Sequence, residues 1–173
     1  MFSRYLEKTT IKGIQMKNYS YFMISILLFF SACSGVDSRV KKNYKNTETT
    51  ISLKDLTSSG QEMTYAGSQL EDALEDTIAR SMFIISQDDS KYILKYKVLN
   101  YTKGSRLARF STFGIAKSAH AKLEVKAALY DEGEKVGAWT IDAWVKGGPL
   151  GGSPGKLFQN VADEIMNHLR GNS

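Results

Sequence analysis

Side chains able to do chemistry are few in this sequence: one cysteine, Cys33, and two histidines, His120 and His168. Two histidines without a second cysteine cannot complete a structural zinc site of the usual kind, and no intramolecular disulfide can form. No serine has a histidine and an acid disposed around it in a recognisable order, so the chain reads as no enzyme. The glycine-rich run from Gly147 to Lys156 tempts comparison with a phosphate loop. Leu150 stands where such a loop needs glycine, and Leu157 where it needs Ser or Thr. The tight turn and the magnesium ligand are both missing, and a flexible connection to the following helix is the better reading, although that helix start could hold an anion. Glu71, Asp72, Glu75 and Asp76 lack the glycine and alternating ligands of a calcium loop. They read as the solvated start of a helix, where carboxylates favour the dipole. No metal and no cofactor is expected.

Cys33 has a different context. Tyr21 to Phe30 is an uncharged apolar run with Lys17 before it and Ser31, Ala32 and Cys33 after it. Such a run reads as an export signal, well below the ~20 residues a membrane-spanning helix requires. Phe30, Ser31, Ala32 and Cys33 resemble the lipobox of bacterial lipoproteins, with Phe30 replacing the usual leucine. That resemblance implies cleavage before Cys33, acylation of its thiol and new amino group, and a bilayer as the first partner. Ser34 follows where aspartate would resemble an inner-membrane retention signal, so the expected address is the periplasmic side of the outer membrane. Met16 begins a more ordinary signal than Met1, which leaves two candidate starts. The expected organisation is a signal over residues 1–32, an acylated Cys33 with a polar linker to residue 50, and one domain over 51–173.

The net charge of +5 is misleading. Residues 49–173 carry fifteen basic and fifteen acidic side chains, the basic excess lying in the signal and the proposed linker. A neutral domain in an exported protein argues against nucleic acid, even though Lys91, Tyr92, Tyr101 and Lys103 could suggest a stacking platform. Lysines on the wet face of a strand account for them.

Periodicity supplies the elements that must carry any surface. Ala119, Ala121, Leu123, Val125, Ala127 and Leu129 alternate with His120, Lys122, Glu124 and Lys126, and Val136 to Lys146 alternates likewise. The two form a hairpin. Gly133 in a three-residue loop pairs Tyr130 with Glu134, which sets Val125 beside Trp139, Leu123 beside Ile141, Lys122 beside Asp142 and His120 beside Trp144. Ile51 and Leu53 mark a short strand, Phe83 to Ile85 another and Tyr92 to Tyr101 a longer one. Ser68 and Glu71 make a capping box before a first helix whose stripe is Leu70, Ala73, Leu74, Thr77, Ile78, Ser81 and Met82. A last helix runs from Ser153 to Arg170, with Pro154 in its first turn and Gly171 past its end. The fold class is therefore α+β, a mainly antiparallel sheet of four to five strands with two helices on one face.

Two regions are candidate contact surfaces. Thr102 to Lys117 has no period and holds Arg106, Arg109, Phe110 and Phe113, a partner surface or a simple connector. His120, Lys122, Lys126, Asp142 and Trp144 project from the sheet face opposite the helices, either as a docking surface with Trp144 as anchor or as cross-strand packing.

Arg106 to Phe110, the loop to Gly114, the strand Ala121 to Asp131, Gly133 to Lys135 and the glycines before the last helix together resemble a family of small bacterial lipoproteins whose domain is catalogued as of unknown function. The likeness covers residues 50–170 by pattern and 105–165 by motif. More distantly the layout looks like the periplasmic α/β domains of curli-secretion and Tol-type envelope proteins. The resemblance implies the same fold and address and no catalytic residues. The expected function is an outer-membrane-anchored module binding another envelope protein or a glycan, with glycan or small-ligand binding as the alternative and a hydrolase less favoured.

Overall fold

A computed structural model describes residues 34–42, 48–86, 88, 90–104, 120–146 and 153–171. Cys33, the residues read as an export signal, Arg106, Arg109, Phe110, Phe113 and the glycine-rich residues 147–152 lie outside the described residues. The elements are β1 (Ser34–Lys42), β2 (Thr50–Asp55), α1 (Gln61–Ala79), β3 (Ile84–Ile85), β4 (Tyr92–Thr102), β5 (Ala121–Asp131), β6 (Glu134–Val145) and α2 (Gly155–Leu169). One six-stranded sheet has the order β1-β6-β5-β4-β2-β3. The α+β class holds, with more strands than the four to five expected. The sheet is also mixed, because β2 pairs parallel with both β3 and β4. A parallel pair needs a crossover, and α1 makes it.

Alternation decides the inner face as expected. Leu123, Val125 and Leu129 of β5 and Trp139, Ile141 and Val145 of β6 are buried, together with Tyr92, Leu94, Tyr96 and Val98 of β4. Both helices cover this face. The α2 stripe of Phe158, Val161, Ala162, Ile165 and Leu169 is fully buried, and α1 contributes Ala66, Leu70, Leu74 and Ile78. Gly171 takes a φ of 78° just past α2, the left-handed stop that glycine tolerates.

Three expectations are corrected. The hairpin register keeps the expected parity but shifts by two residues: Val125 faces Ile141, Leu123 faces Ala143 and Lys122 faces Trp144. The cause is the turn, a two-residue loop in which Glu132 (φ 47°) and Gly133 (φ 89°) both adopt positive φ, with Asp131 paired to Glu134. Such a turn matches strand twist. Taken alone it would set apolar residues opposite polar ones, and a bulge after Leu129 restores the parity.

The first helix begins at Gln61, so Ser68 lies inside it and caps nothing. Buried Ala66 and Gly67 extend the apolar stripe toward the N-terminus. Gly67 hides that extension in the sequence because its side chain adds no hydrophobicity. It is needed there, since a β-carbon would collide with the Asp55 carboxylate. At the other end Met82, placed in the stripe, is exposed.

The segment read as a linker contains β1, an edge strand paired with β6 from Ser34–Val145 to Lys42–Ala138. Its inward positions include only two valines that the core can use, Val36 and the more exposed Val40, with Ser38 between them. That leaves too little apolar period to notice.

Candidate functional site

The sheet face opposite the helices carries polar rows that run across the strands. Nearest Ser34, the row is Gly35, Trp144, Lys122 and Thr102. The next is acidic: Asp37, Asp142 and Glu124, then Asn100. The third is basic: Arg39, Thr140, Lys126 and Lys97. The fourth places Ala138 and Ala128 between Lys42 on one side and Lys95 and Lys54 on the other. Arg39 reaches back to Asp142 at 3.1 Å, tying the acidic row to the basic one. Trp144 is half-buried because its indole lies over Gly35, where a β-carbon would clash with the ring.

Short side chains at Ala128, Ala138 and Thr140 leave a shallow hollow of about 240 Å³. Around it stand Lys41, Lys95, Lys97, Lys126 and Lys135, with Tyr130 and Leu56, and no acid contributes to its lining. Lys95 Nζ sits 4.1 Å from the Tyr130 ring centroid, a cation–π contact that fixes the lysine over the sheet. Lys42 donates to the Lys135 carbonyl at the rim.

Sequence reasoning placed His120, Lys122, Lys126, Asp142 and Trp144 on one surface. Lys122, Lys126, Asp142 and Trp144 share the outer face, with Trp144 opposite Lys122 instead of His120. His120 precedes β5 and has contacts of its own. Arg39, Lys95, Lys97, Lys135 and Thr140 belong to the same surface. Lys95 and Lys97 were readable as a wet strand face, but their meeting with Lys126 required the register.

One serine–histidine–acid group does exist, under the sheet. Ser38 Oγ donates to Glu164 Oε1 at 2.6 Å, and His168 Nε2 lies 3.1 Å from the same Oγ. Since the serine proton goes to the carboxylate, Oγ accepts from Nε2–H, and the imidazole is the neutral Nε2–H tautomer. Its Nδ1 is buried without a partner, and the ring stacks on Trp139 at 5.2 Å and 7°. A nucleophilic serine would donate to the histidine, and the acid would hold Nδ1. Here both relations are reversed, and the group clasps β1 to α2. Burial lowers the His168 pKa below its usual value, opposed by Glu164.

With the folded pKa below the unfolded one, the unfolded chain binds the extra proton, so stability is full above about pH 6.5 and falls as pH drops through the folded pKa. A denaturation midpoint measured from neutral pH downward is expected to fall in this window. The His168→Phe variant is expected to lose that part of the slope.

Charge is separated between the layers. Glu62, Glu71, Asp72, Glu75 and Asp76 are exposed on α1, on the side of the sheet away from the lysines. Slight burial and the carboxylates of Glu75, Asp55 and Asp72 push the Glu71 pKa up. Among the described residues no three His, Cys, Asp or Glu side chains converge to hold a metal ion. No described helix is long and apolar enough to cross a membrane.

No family model and no curated protein matches the chain. Among solved structures it is similar to a PelC dodecamer from Paraburkholderia phytofirmans, 12% identical over 82% of this chain and 100% of that one, with a TM-score of 0.48. A second PelC dodecamer from that organism is 11% identical over 77% of this chain and 98% of that one, at 0.49. A minor lipoprotein from Acinetobacter baumannii is 17% identical over 72% of this chain and 92% of that one, at 0.47. Likeness at this level carries no argument about binding, which rests on the residues above.

Proposed function

We propose that this chain is an exported, lipid-anchored module of the bacterial envelope, held at Cys33 on the periplasmic side of the outer membrane. It works by binding a second envelope component across the outer face of its sheet, without catalysis. The observation that carries this reading is the face itself: neighbouring strands present Trp144, Lys122, Lys126 and Lys97 with no described element over them. Trp144 has the character of an anchor, a large amphipathic ring held in place by Gly35 and ringed by charge. The motif ending at Cys33 supports the address.

The test is a photo-crosslinking residue placed in cells at Lys122 on the outer face or at Asp163 on α2. Adducts are expected from Lys122 and not from Asp163. Trp144→Ala is expected to cut the Lys122 adduct by about tenfold or more, the loss of one anchor, while the melting temperature stays within a few degrees. Equal adducts from both faces, or an adduct indifferent to Trp144, would remove the sheet face from the function.

A further inference from the structure

We infer that the lysine-ringed hollow is a seat for an oxyanion-bearing sugar, the carboxylate or phosphate of an acidic envelope glycan. This rests on the outer face being the docking face and names the chemistry it takes. Lys97 stands directly opposite Lys126, and Lys95 directly beside Lys54. Like charges at paired positions destabilise a sheet. Among the described residues no ion pair relieves them, since none involves Lys41, Lys54, Lys95, Lys97, Lys126 or Lys135, and Lys95 lies instead over the Tyr130 ring. A local conflict of this kind, retained in an otherwise consistent fold, marks a site where a ligand supplies the missing charge.

Shape narrows the class. A hollow of about 240 Å³ is smaller than a pocket for a drug-sized molecule and suits a single ring. Its floor offers the Thr140 hydroxyl between alanines, and its walls offer Tyr130 and lysine stems for the carbon face of a sugar. A bilayer suits it less well. A flat anionic surface pressed on this face would also meet the acidic row of Asp37, Asp142 and Glu124, ~7 Å away along the strands, whereas a glycan can follow the basic rows alone.

The experiment is calorimetric titration of the intact protein in detergent with trigalacturonate, alongside maltotriose, inorganic phosphate, a glutamate tripeptide, and vesicles with and without phosphatidylglycerol. Trigalacturonate is expected to bind, to weaken about tenfold from low to high salt, and to outbind every other probe. Lys97→Glu is expected to weaken it about thirtyfold and at the same time to raise the melting temperature, because the substitution replaces a like-charged pair by an opposite one. Lys156→Glu, at the start of α2 and away from the lining of the hollow, is expected to leave trigalacturonate binding unchanged. Binding of maltotriose, phosphate, the peptide or anionic vesicles as tight as that of trigalacturonate would overturn the inference, as would unchanged binding by Lys97→Glu. If trigalacturonate fails while the Lys122 crosslink persists, the glycan chemistry falls and the docking face stands. If it binds while the crosslink is absent, the hollow stands and the wider docking face falls.

Discussion

Replacing Cys33 with alanine is expected to shift the protein from the detergent phase to the aqueous phase and to leave its intact mass without acyl chains. Each buried methylene contributes ~0.8 kcal/mol, so chains of ordinary length add up to orders of magnitude in partitioning, a larger effect than any contact in the domain provides. The wild type should be lighter by the export signal and heavier by its lipids. The melting temperature should not follow, because the core is built by the described elements, of which β1 pairs from Ser34 onward. An aqueous wild type with an unmodified thiol would end the lipoprotein reading.

Trp139→Ala is the other substitution with a large expected consequence. Trp139 is 2% exposed, lies at the centre of β6 and stacks on His168. Truncating a buried tryptophan costs about 3–5 kcal/mol, a large share of the roughly 5–15 kcal/mol that keeps a domain folded. Chemical denaturation should show the midpoint falling by about a third or more, with the histidine signal shifted as its stacking partner disappears. The second tryptophan is an internal comparison: Trp144, on the opposite face and half-buried, should cost far less stability and more binding. A loss under about 1 kcal/mol at Trp139 would contradict the packing described for α2 against β6.

Strands with one dry face announced themselves. The alternation in β5 and β6 was plain because Leu123, Val125, Ile141 and Val145 all enter one core. Their offset was not plain, since Glu132 at positive φ is uncommon and the turn moves the pairs by one position while the bulge after Leu129 adds a second. The capping box at Ser68 was a real local signal overridden by a longer apolar stripe, in which Gly67 counted for nothing on a hydrophobic scale and a great deal in packing. Strand β1 was missed because its inward contact is a hydrogen-bonded serine, and hydrogen bonds leave no period. The lysine face was hidden twice over. Overall neutrality concealed a basic surface offset by acids on α1, and only the register of three strands brings Lys97, Lys126 and the alanine floor together.

Strand β1 also has a consequence for the order of events during folding. Arg39 and its partner Asp142 are 103 positions apart, and Ser38 and Glu164 are 126 apart, so β1 is joined to β6 and α2 by contacts very distant in sequence. Closing so long a loop is slow, and β6 is complete only near the end of the chain. Whenever the N-terminus is held in a translocation channel or by a processing enzyme, β6 is an open edge with a row of unpaired backbone groups, the template on which strands of other molecules add. On the export route proposed above, release of the N-terminus would be the final folding step, covering that edge with the chain's own first strand and ending the interval in which a foreign strand could take its place.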